Sequence, residues 1–128
     1  MEQRNRAKDW LQQAKWDIRY AKAALADQFY SQTCFICQQA AEKALKSMLY
    51  YKGAEKILTH SLHQLCETLR VNSRLLNAAK VLDLYYISAR YPDALAAGTP
   101  HEVFTKDQAK EAIRFAQMFV RKAERSRK

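Results

Sequence analysis

Apolar residues recur every three or four positions along most of this chain, which is the spacing of amphipathic α-helices. The stretch 31–53 shows this pattern most clearly, and we predict that it forms the central helix. Ser31 is predicted to cap its start and Gly53 to follow its end with a left-handed backbone. The apolar half of this helix is rich in small residues and comprises Cys34, Cys37, Ala40, Ala41, Ala44, Leu45, Met48 and Leu49. The polar half comprises Gln39, Glu42, Lys43 and Lys46. Glu42 and Lys46 are four residues apart, and we predict a surface ion pair between them.

Further helices are predicted by the same periodicity. In chain order they cover about Arg4–Asp27, a short stretch starting near Thr59 or Ser61, about Ser73–Arg90, and a last stretch opening at the capping-box sequence Thr105–Gln108. The predicted core residues of the first helix are Ala7, Trp10, Leu11, Ala14, Ile18, Ala21 and Leu25. Those of the helix from Ser73 are Leu75, Leu76, Ala79, Leu82, Tyr86 and Ala89, and those of the last helix are Ala109, Ala112, Ile113, Ala116, Phe119, Val120 and Ala123. Asn72 is predicted to cap the helix from Ser73, and Pro92 to end it, because the residue before a proline avoids the helical region. The connection between the first and central helices is short, so they are predicted to be antiparallel neighbours. The predicted fold class is all-α, an up-and-down bundle of four main helices plus one short helix.

A chain of 128 residues with only two glycines and two prolines is predicted to form one domain over residues 1–128. Residues 121–128 hold five basic side chains and one acidic one, and we expect this end to be a frayed tail. We find no apolar run long enough for a membrane span and no secretory signal at the start. We therefore expect a cytoplasmic protein that does not enter membranes.

The three cysteines are an odd number, which is typical of reduced thiols in a cytosolic protein. Cys34 and Cys37 form a CxxC sequence on the apolar side of the central helix. We interpret both as core residues, with a metal or redox role as the alternative.

The chain is basic, with 22 Lys and Arg against 13 Asp and Glu and a net charge of +9. Such a surface attracts phosphates, although solubility alone also explains it. Trp16 and Tyr20 lie opposite the core stripe of the first helix, so they are candidate residues of a dimer interface. The alternative is that another helix of the chain covers them.

The residues that carry chemistry are few. The sequence has no P-loop, GxGxxG or HExxH motif and no Ser or Cys in the context of a nucleophile. The candidates for a site are His60, His63, Arg90, Tyr91, Asp93 and His101. His60 and His63 lack the further ligands of a metal site, so we assign no metal, no cofactor and no catalytic residue. Arg90 either stabilises the end of its helix or holds a phosphate or carboxylate through its planar fork.

Four segments together resemble the HEPN domain family. They are AKDWLQQAKWDIRYAKAAL in the first helix, CQQAAEKALKSMLYYKG in the central helix, then HSLHQL, then RYPD. The order and spacing of these segments over most of the chain carry the resemblance. It implies a four- or five-helix up-and-down bundle that usually dimerises.

Many HEPN proteins are ribonucleases with an arginine and a histidine separated by four to six residues. That motif is absent here, since ten residues separate Arg90 from His101. The resemblance therefore implies the non-ribonuclease branch, whose members are often encoded beside a minimal nucleotidyltransferase. In that branch the positions resembling binding residues are Lys43, Lys46, His60, Arg90, Tyr91 and Asp93, together with Gln39 and Glu42.

The function we expect is a non-catalytic, homodimeric HEPN module that binds a nucleotide, a nucleotidyltransferase partner, or both. It would belong to a two-gene system of the toxin–antitoxin kind. In this hypothesis Lys43, Lys46 and Arg90 hold a triphosphate, Tyr91 stacks on a base and His60 adds a donor. The alternatives are an RNA-acting enzyme that combines Arg90 with His101 or His60, and a basic module that binds RNA or DNA without catalysis. Enzyme activity thus stays open, with the absent motif counting against it.

Overall fold

Seven α-helices and one 3-10 turn make up the chain in the computed structural model, which describes residues 2–127 and the side chains of residues 6–127. The helices are α1 (Glu2–Ala26), α2 (Tyr30–Tyr51), α3 (Leu62–Leu69), α4 (Ser73–Asp83), α5 (Tyr85–Ser88), α6 (Pro100–Val103) and α7 (Lys106–Ser126), and the 3-10 turn spans Pro92–Ala94. No strand occurs within residues 2–127. The predicted all-α fold class is therefore confirmed.

Helix α2 is the centre of the bundle and packs against α1, α3, α4, α5, α6 and α7. The Ser47 hydroxyl donates to the carbonyl of Ala7 at 2.8 Å, and the Thr33 hydroxyl lies 3.5 Å from the carbonyl of Ala21. The later residue of α2 thus lies beside the earlier residue of α1, so the two helices are antiparallel as predicted. Small side chains on α2 allow this close approach, and three alanines are fully buried there: Ala40, Ala41 and Ala44.

The core faces of the long helices agree closely with the predicted pattern. All seven predicted core residues of α7 are buried: Ala109, Ala112, Ile113, Ala116, Phe119, Val120 and Ala123. On α1, Trp10 and Leu25 are only partly buried, while the other predicted core residues are buried. None of the described helices is both long and apolar enough to cross a bilayer.

The predicted ends of α2 are right at one terminus and wrong at the other. Gly53 has a φ of +105°, and the amide of Ala54 donates to the carbonyl of Leu49 at 3.0 Å, which closes the helix as predicted. Ser31 is not the N-cap, because α2 starts one residue earlier and Phe29 occupies the capping position without a side-chain hydrogen bond. Ser31 is instead buried in the first turn.

Two residues of the polar half of α2, Glu42 and Lys46, are buried rather than solvated. The sequence predicts a surface ion pair between Glu42 and Lys46, but each residue is only 6% exposed. The connection after α2 explains this burial, because it returns over this side of the helix. Gln38 is fully buried there and donates to the backbone carbonyl of His60 at 3.2 Å.

The helix predicted over Ser73–Arg90 is divided at Leu84 into α4 and α5. Its cap is as predicted, since Asn72 accepts the amide of Leu75 at 2.9 Å. Near the division, the buried ring is Tyr85 rather than the predicted Tyr86. Tyr85 packs edge-on against buried Phe104, with ring centroids 5.4 Å apart. A contact from the segment before α7 therefore selects which tyrosine enters the core.

The segment before α7 is partly helical, and α7 completes the bundle. The stretch 91–104 contains the 3-10 turn and α6, which begins at a capping box formed by Thr99 and Glu102. Helix α7 starts at the predicted Thr105 cap and extends to Ser126, and Ala123 is fully buried in the bundle. Lys128 lies outside the described residues.

Candidate functional site

Arg90 follows α5, and three aromatic rings surround its guanidinium. The guanidinium carbon lies 4.4 Å from the ring centroid of Phe35, 4.8 Å from that of Tyr86 and 5.1 Å from that of Tyr91. Its Nε donates to the carbonyl of Tyr86 at 2.8 Å. No carboxylate of the described side chains forms an ion pair with Arg90. The guanidinium is thus fixed in position, while its terminal N–H groups remain available for an anion.

The groove beside Arg90 has a volume of about 480 Å³. This volume lies within the range of small-molecule sites in proteins. Residues from α1, α2, the end of α5 and the start of α6 line it: Tyr20, Ser31, Gln32, Phe35, Ile36, Ala89, Arg90, Pro92, Thr99, Pro100 and His101. We refer to this feature as the Arg90 groove. It combines the guanidinium of Arg90 with aromatic rings and several hydroxyl and amide groups.

The buried carboxylate of Glu42 contacts the buried Lys46 and the exposed His60. Its Oε2 accepts from Nζ of Lys46 at 2.9 Å and lies 3.0 Å from Nδ1 of His60. Since a carboxylate only accepts, the second contact assigns a proton to Nδ1 of His60. The other carboxylate oxygen, Oε1, is buried without a hydrogen-bond partner among the described residues. Because both side chains of the Glu42–Lys46 ion pair are buried, we interpret this pair as structural.

His60 connects this ion pair to the Arg90 groove. Its imidazole stacks on the ring of Tyr86, with centroids 5.4 Å apart and planes 17° from parallel. Tyr86 also contacts the guanidinium of Arg90. The structure thus brings four predicted residues, Lys46, His60, Arg90 and Tyr91, into one continuous set of contacts through Glu42 and Tyr86.

Two other predicted residues lie apart from this set. Lys43 pairs with the carboxylate of Asp17 on α1 and lines a separate groove with Trp10. Asp93 is exposed in the 3-10 turn, and its neighbour Pro92 lines the Arg90 groove instead. A single pocket built from Lys43, Lys46 and Arg90 is thus not formed.

Sequence reasoning missed Phe35 and the functional position of Tyr86. Phe35 was outside the predicted apolar half of α2, whereas in the structure it packs against the core and also contacts Arg90. Tyr86 was predicted as a core residue because it fits the helical spacing of Leu82 and Ala89. Gln32 and Thr99 carry no local signal, because only the packing of α2 against α6 places them in the same groove.

Three cysteine thiols are buried and reduced: Cys34, Cys37 and Cys66. Burial, with a smaller contribution from the Glu111 carboxylate, raises the pKa of Cys34 to about 12. Burial also raises the pKa of Cys37 well above its usual range, and the neighbouring Cys34 adds to this effect. Both thiols are therefore protonated at neutral pH, and their interpretation as core residues is confirmed.

The two remaining histidines have different surroundings. Nδ1 of His63 lies 2.8 Å from the carboxylate of Asp83, which also accepts the amide of His63 at 3.0 Å. This arrangement ties α3 to α4. His101 lines the Arg90 groove, and its ring lies 6.2 Å from that of Phe29. Within the described part of the chain, no group of three or more His, Cys, Asp or Glu side chains has the geometry of a metal site.

The two candidate interface residues of α1 are uncovered. Trp16 is 52% exposed and Tyr20 is 63% exposed. Arg19 lies over the ring of Trp16, with its guanidinium carbon 5.2 Å from the centroid. Since Tyr20 also lines the Arg90 groove, this aromatic surface continues into the candidate site.

Comparison with known proteins assigns a family to this fold and site. The sequence profile of the HEPN domain matches residues 7–126. The chain belongs to the HEPN domain family. No curated protein matches it.

Three solved structures resemble the whole chain. TT1696 from Thermus thermophilus is 41% identical, with a TM-score of 0.90 over 95% of this chain and 98% of that one. ST0689, an archaeal HEPN homologue, is 35% identical, with a TM-score of 0.81 over 92% and 94% of the two chains. An HEPN domain protein from Thermotoga maritima, tm0613, is 29% identical, with a TM-score of 0.73 over 91% and 94%. These similarities extend the family assignment to almost the full length of the fold.

The buried pair of Glu42 and Lys46 gives a stability prediction. The side chains are 7% and 8% exposed, so Glu42→Ala leaves a buried ammonium without its partner. We expect this change to lower the free energy of unfolding by about 3–5 kcal/mol in urea titrations. The double variant Glu42→Met/Lys46→Met is expected to recover most of that loss, because it removes both charges and keeps the volume.

The matched control is the exposed pair of Lys15 and Glu124, whose nitrogen and oxygen are 2.7 Å apart. Glu124→Ala is expected to change the free energy of unfolding by about 1 kcal/mol or less, because surface pairs contribute little. Equal losses in Glu42→Ala and Glu124→Ala would contradict the buried ion pair.

Proposed function

We propose that this chain is a non-catalytic HEPN module that binds a phosphate-bearing nucleotide in the Arg90 groove. The observation that supports it most strongly is the state of Arg90, which aromatic rings and a backbone carbonyl hold without a carboxylate partner among the described side chains. The hydrogen bond of Arg90 to the carbonyl of Tyr86 uses only Nε. Here the terminal N–H groups remain for the two oxygens of a phosphate.

The rest of the groove fits the nucleoside part of such a ligand. Tyr20 and Phe35 offer ring faces to a base, and the amide nitrogen of Gln32 is left to donate to a base edge or a ribose. The net charge of +9 adds long-range attraction for a polyphosphate. Lys46 contributes indirectly, since its charge is neutralised by Glu42 and the pair holds His60 against Tyr86.

The proposal also includes a protein partner of the nucleotidyltransferase kind, in a two-gene system resembling toxin–antitoxin pairs. The ribonuclease arrangement of arginine and histidine is missing from the sequence, which favours the non-ribonuclease branch. Leu84, Ile87 and Tyr91, close to Arg90 in sequence, are 70%, 47% and 51% exposed. Exposed apolar side chains of this size are suitable contacts for such a partner.

The nucleotide proposal predicts the effect of removing Arg90. Isothermal titration of ATP and GTP into the wild-type protein is expected to give saturable binding, and Arg90→Ala is expected to weaken it at least about tenfold, since one charge-assisted interaction contributes about 1.5–3 kcal/mol. Arg90→Lys is expected to restore only part of the affinity, because an ammonium cannot form the bidentate contact.

Arg114→Ala is the matched control, since Arg114 is also exposed and lies over an aromatic ring, that of Phe115. It removes the same charge outside the groove and is expected to keep wild-type affinity. Flat titrations for the wild-type protein would reject nucleotide binding. Recovery of a nucleotidyltransferase with this chain in a pull-down would then leave partner binding as its function.

A second candidate function has one observation in its favour. Arg90 and His101, although ten residues apart in sequence, line the same groove. This placement supports an RNA-acting enzyme in which Arg90 holds the phosphate and His101 transfers a proton. Such an enzyme is expected to cleave short RNA, and His101→Ala is expected to lower the rate at least about 100-fold. Cleavage that is absent, or unchanged in His101→Ala, would remove this candidate.

The homodimer is proposed to form through the aromatic surface of α1. Trp16 and Tyr20 are large exposed rings, and aromatic residues are enriched in protein interfaces. Sedimentation equilibrium is expected to give a dimer for the wild-type protein and a monomer for Trp16→Ser/Tyr20→Ser. Leu58→Ser, which changes another strongly exposed apolar residue, serves as the control and is expected to stay dimeric. A monomeric wild-type protein would overturn this interface.

A further inference from the structure

Three arginines form a second cluster, between the start of α4 and the C-terminal half of α7. Arg74, Arg121 and Arg125 line a cleft of about 140 Å³ together with Asn72, Leu75 and Met118. We refer to it as the Arg121 cleft. None of these residues lines the Arg90 groove, so the two sites are separate.

The positive charges of the Arg121 cleft are not neutralised by ion pairs with the described side chains, since none of these pairs with Arg74, Arg121 or Arg125. Glu124, which lies between the two arginines of α7 in sequence, instead pairs with Lys15 of α1 at 2.7 Å. Arg121 and Arg125 are also four residues apart on one helix, where like charges repel. A bound anion would relieve this repulsion.

The other side chains of the cleft fit a phosphate group. The side-chain oxygen of Asn72 accepts the amide of Leu75 at 2.9 Å, so its amide group is the part left to donate. Leu75 and Met118 supply the apolar part of the cleft lining. A volume of about 140 Å³ is too small for a whole nucleotide, because ligand sites of that kind measure about 300–1,000 Å³.

We propose that the Arg121 cleft is a phosphate-binding site, distinct from the Arg90 groove, that takes single phosphate groups between the guanidinium forks of α4 and α7. Arginine is suited to this ligand because its planar fork matches two phosphate oxygens. The phosphate comes either from the backbone of a single-stranded RNA or from free inorganic phosphate. In both cases the arginines bind the oxygens of a phosphate group, and the binding experiment distinguishes the two sources.

The test measures binding of inorganic phosphate by isothermal titration and of a fluorescent single-stranded RNA by anisotropy at several salt concentrations. Arg121→Gln/Arg125→Gln is compared with Lys110→Gln/Arg114→Gln, which removes two charges from the same helix outside the cleft. We expect the cleft variant to weaken binding of the phosphate-bearing ligand about tenfold or more and the control to change it less than about threefold. For RNA, the logarithm of the affinity falls with the logarithm of the salt concentration, and the cleft variant is expected to reduce that slope by about one. This change corresponds to the loss of roughly one phosphate contact.

The two arms identify the source of the phosphate. Loss of RNA affinity without measurable binding of inorganic phosphate assigns the cleft to a nucleic-acid backbone, whereas specific loss of phosphate binding assigns it to the free ion. Equal weakening by both variants would overturn the proposal, since it would show general charge attraction. Absence of binding to either ligand would also overturn it. Thermal melts of both variants establish that each is folded.

Discussion

The candidate site depends on the contacts of the Glu42 carboxylate with Lys46 and His60. This carboxylate lies inside the bundle, on the side of α2 that the sequence assigned to solvent, and one of its oxygens contacts both Lys46 and His60. A buried carboxylate is tolerable only with such partners. By holding His60, Glu42 fixes the end of the connection between α2 and α3 against the ring of Tyr86. The surface beside Arg90 therefore has its shape because a charge is neutralised below it.

Arg90 illustrates a different way to keep a charge in place. Its guanidinium is held by contacts with the faces of Phe35, Tyr86 and Tyr91 and by one hydrogen bond to a carbonyl. None of these contacts neutralises the guanidinium, so its positive charge remains available to an anion in the groove. Lys43 and Lys46, which the sequence grouped with it, are both neutralised by carboxylates. A fold does not define an activity, and the difference between these three cations is what makes the Arg90 groove a candidate site.

The helices were predictable because their signals are local. Asn72 and Thr105 cap helices through hydrogen bonds to residues three positions later, and Gly53 adopts the positive φ that ends α2. The core face of α7 follows from helical spacing alone. Local signals failed where another segment intervened, as at Ser31, which is buried in α2 instead of capping it. They also failed at Gln28 and Arg70, which have positive φ values of 69° and 56° without being glycine.

The sequence by itself determined the fold class, the family, the core faces of the long helices and the choice of Arg90 and His60 as residues of interest, since periodicity, caps and short motifs are properties of neighbouring residues. Only the tertiary structure decided which of the candidate cations are neutralised. Lys43 pairs with Asp17, Lys46 is buried beside Glu42, and His101 lines the same groove as Arg90. These residues are either distant from their partners in the chain or covered by another segment. Electrostatic neutralisation depends on distance in space, and no pattern along the chain records that distance.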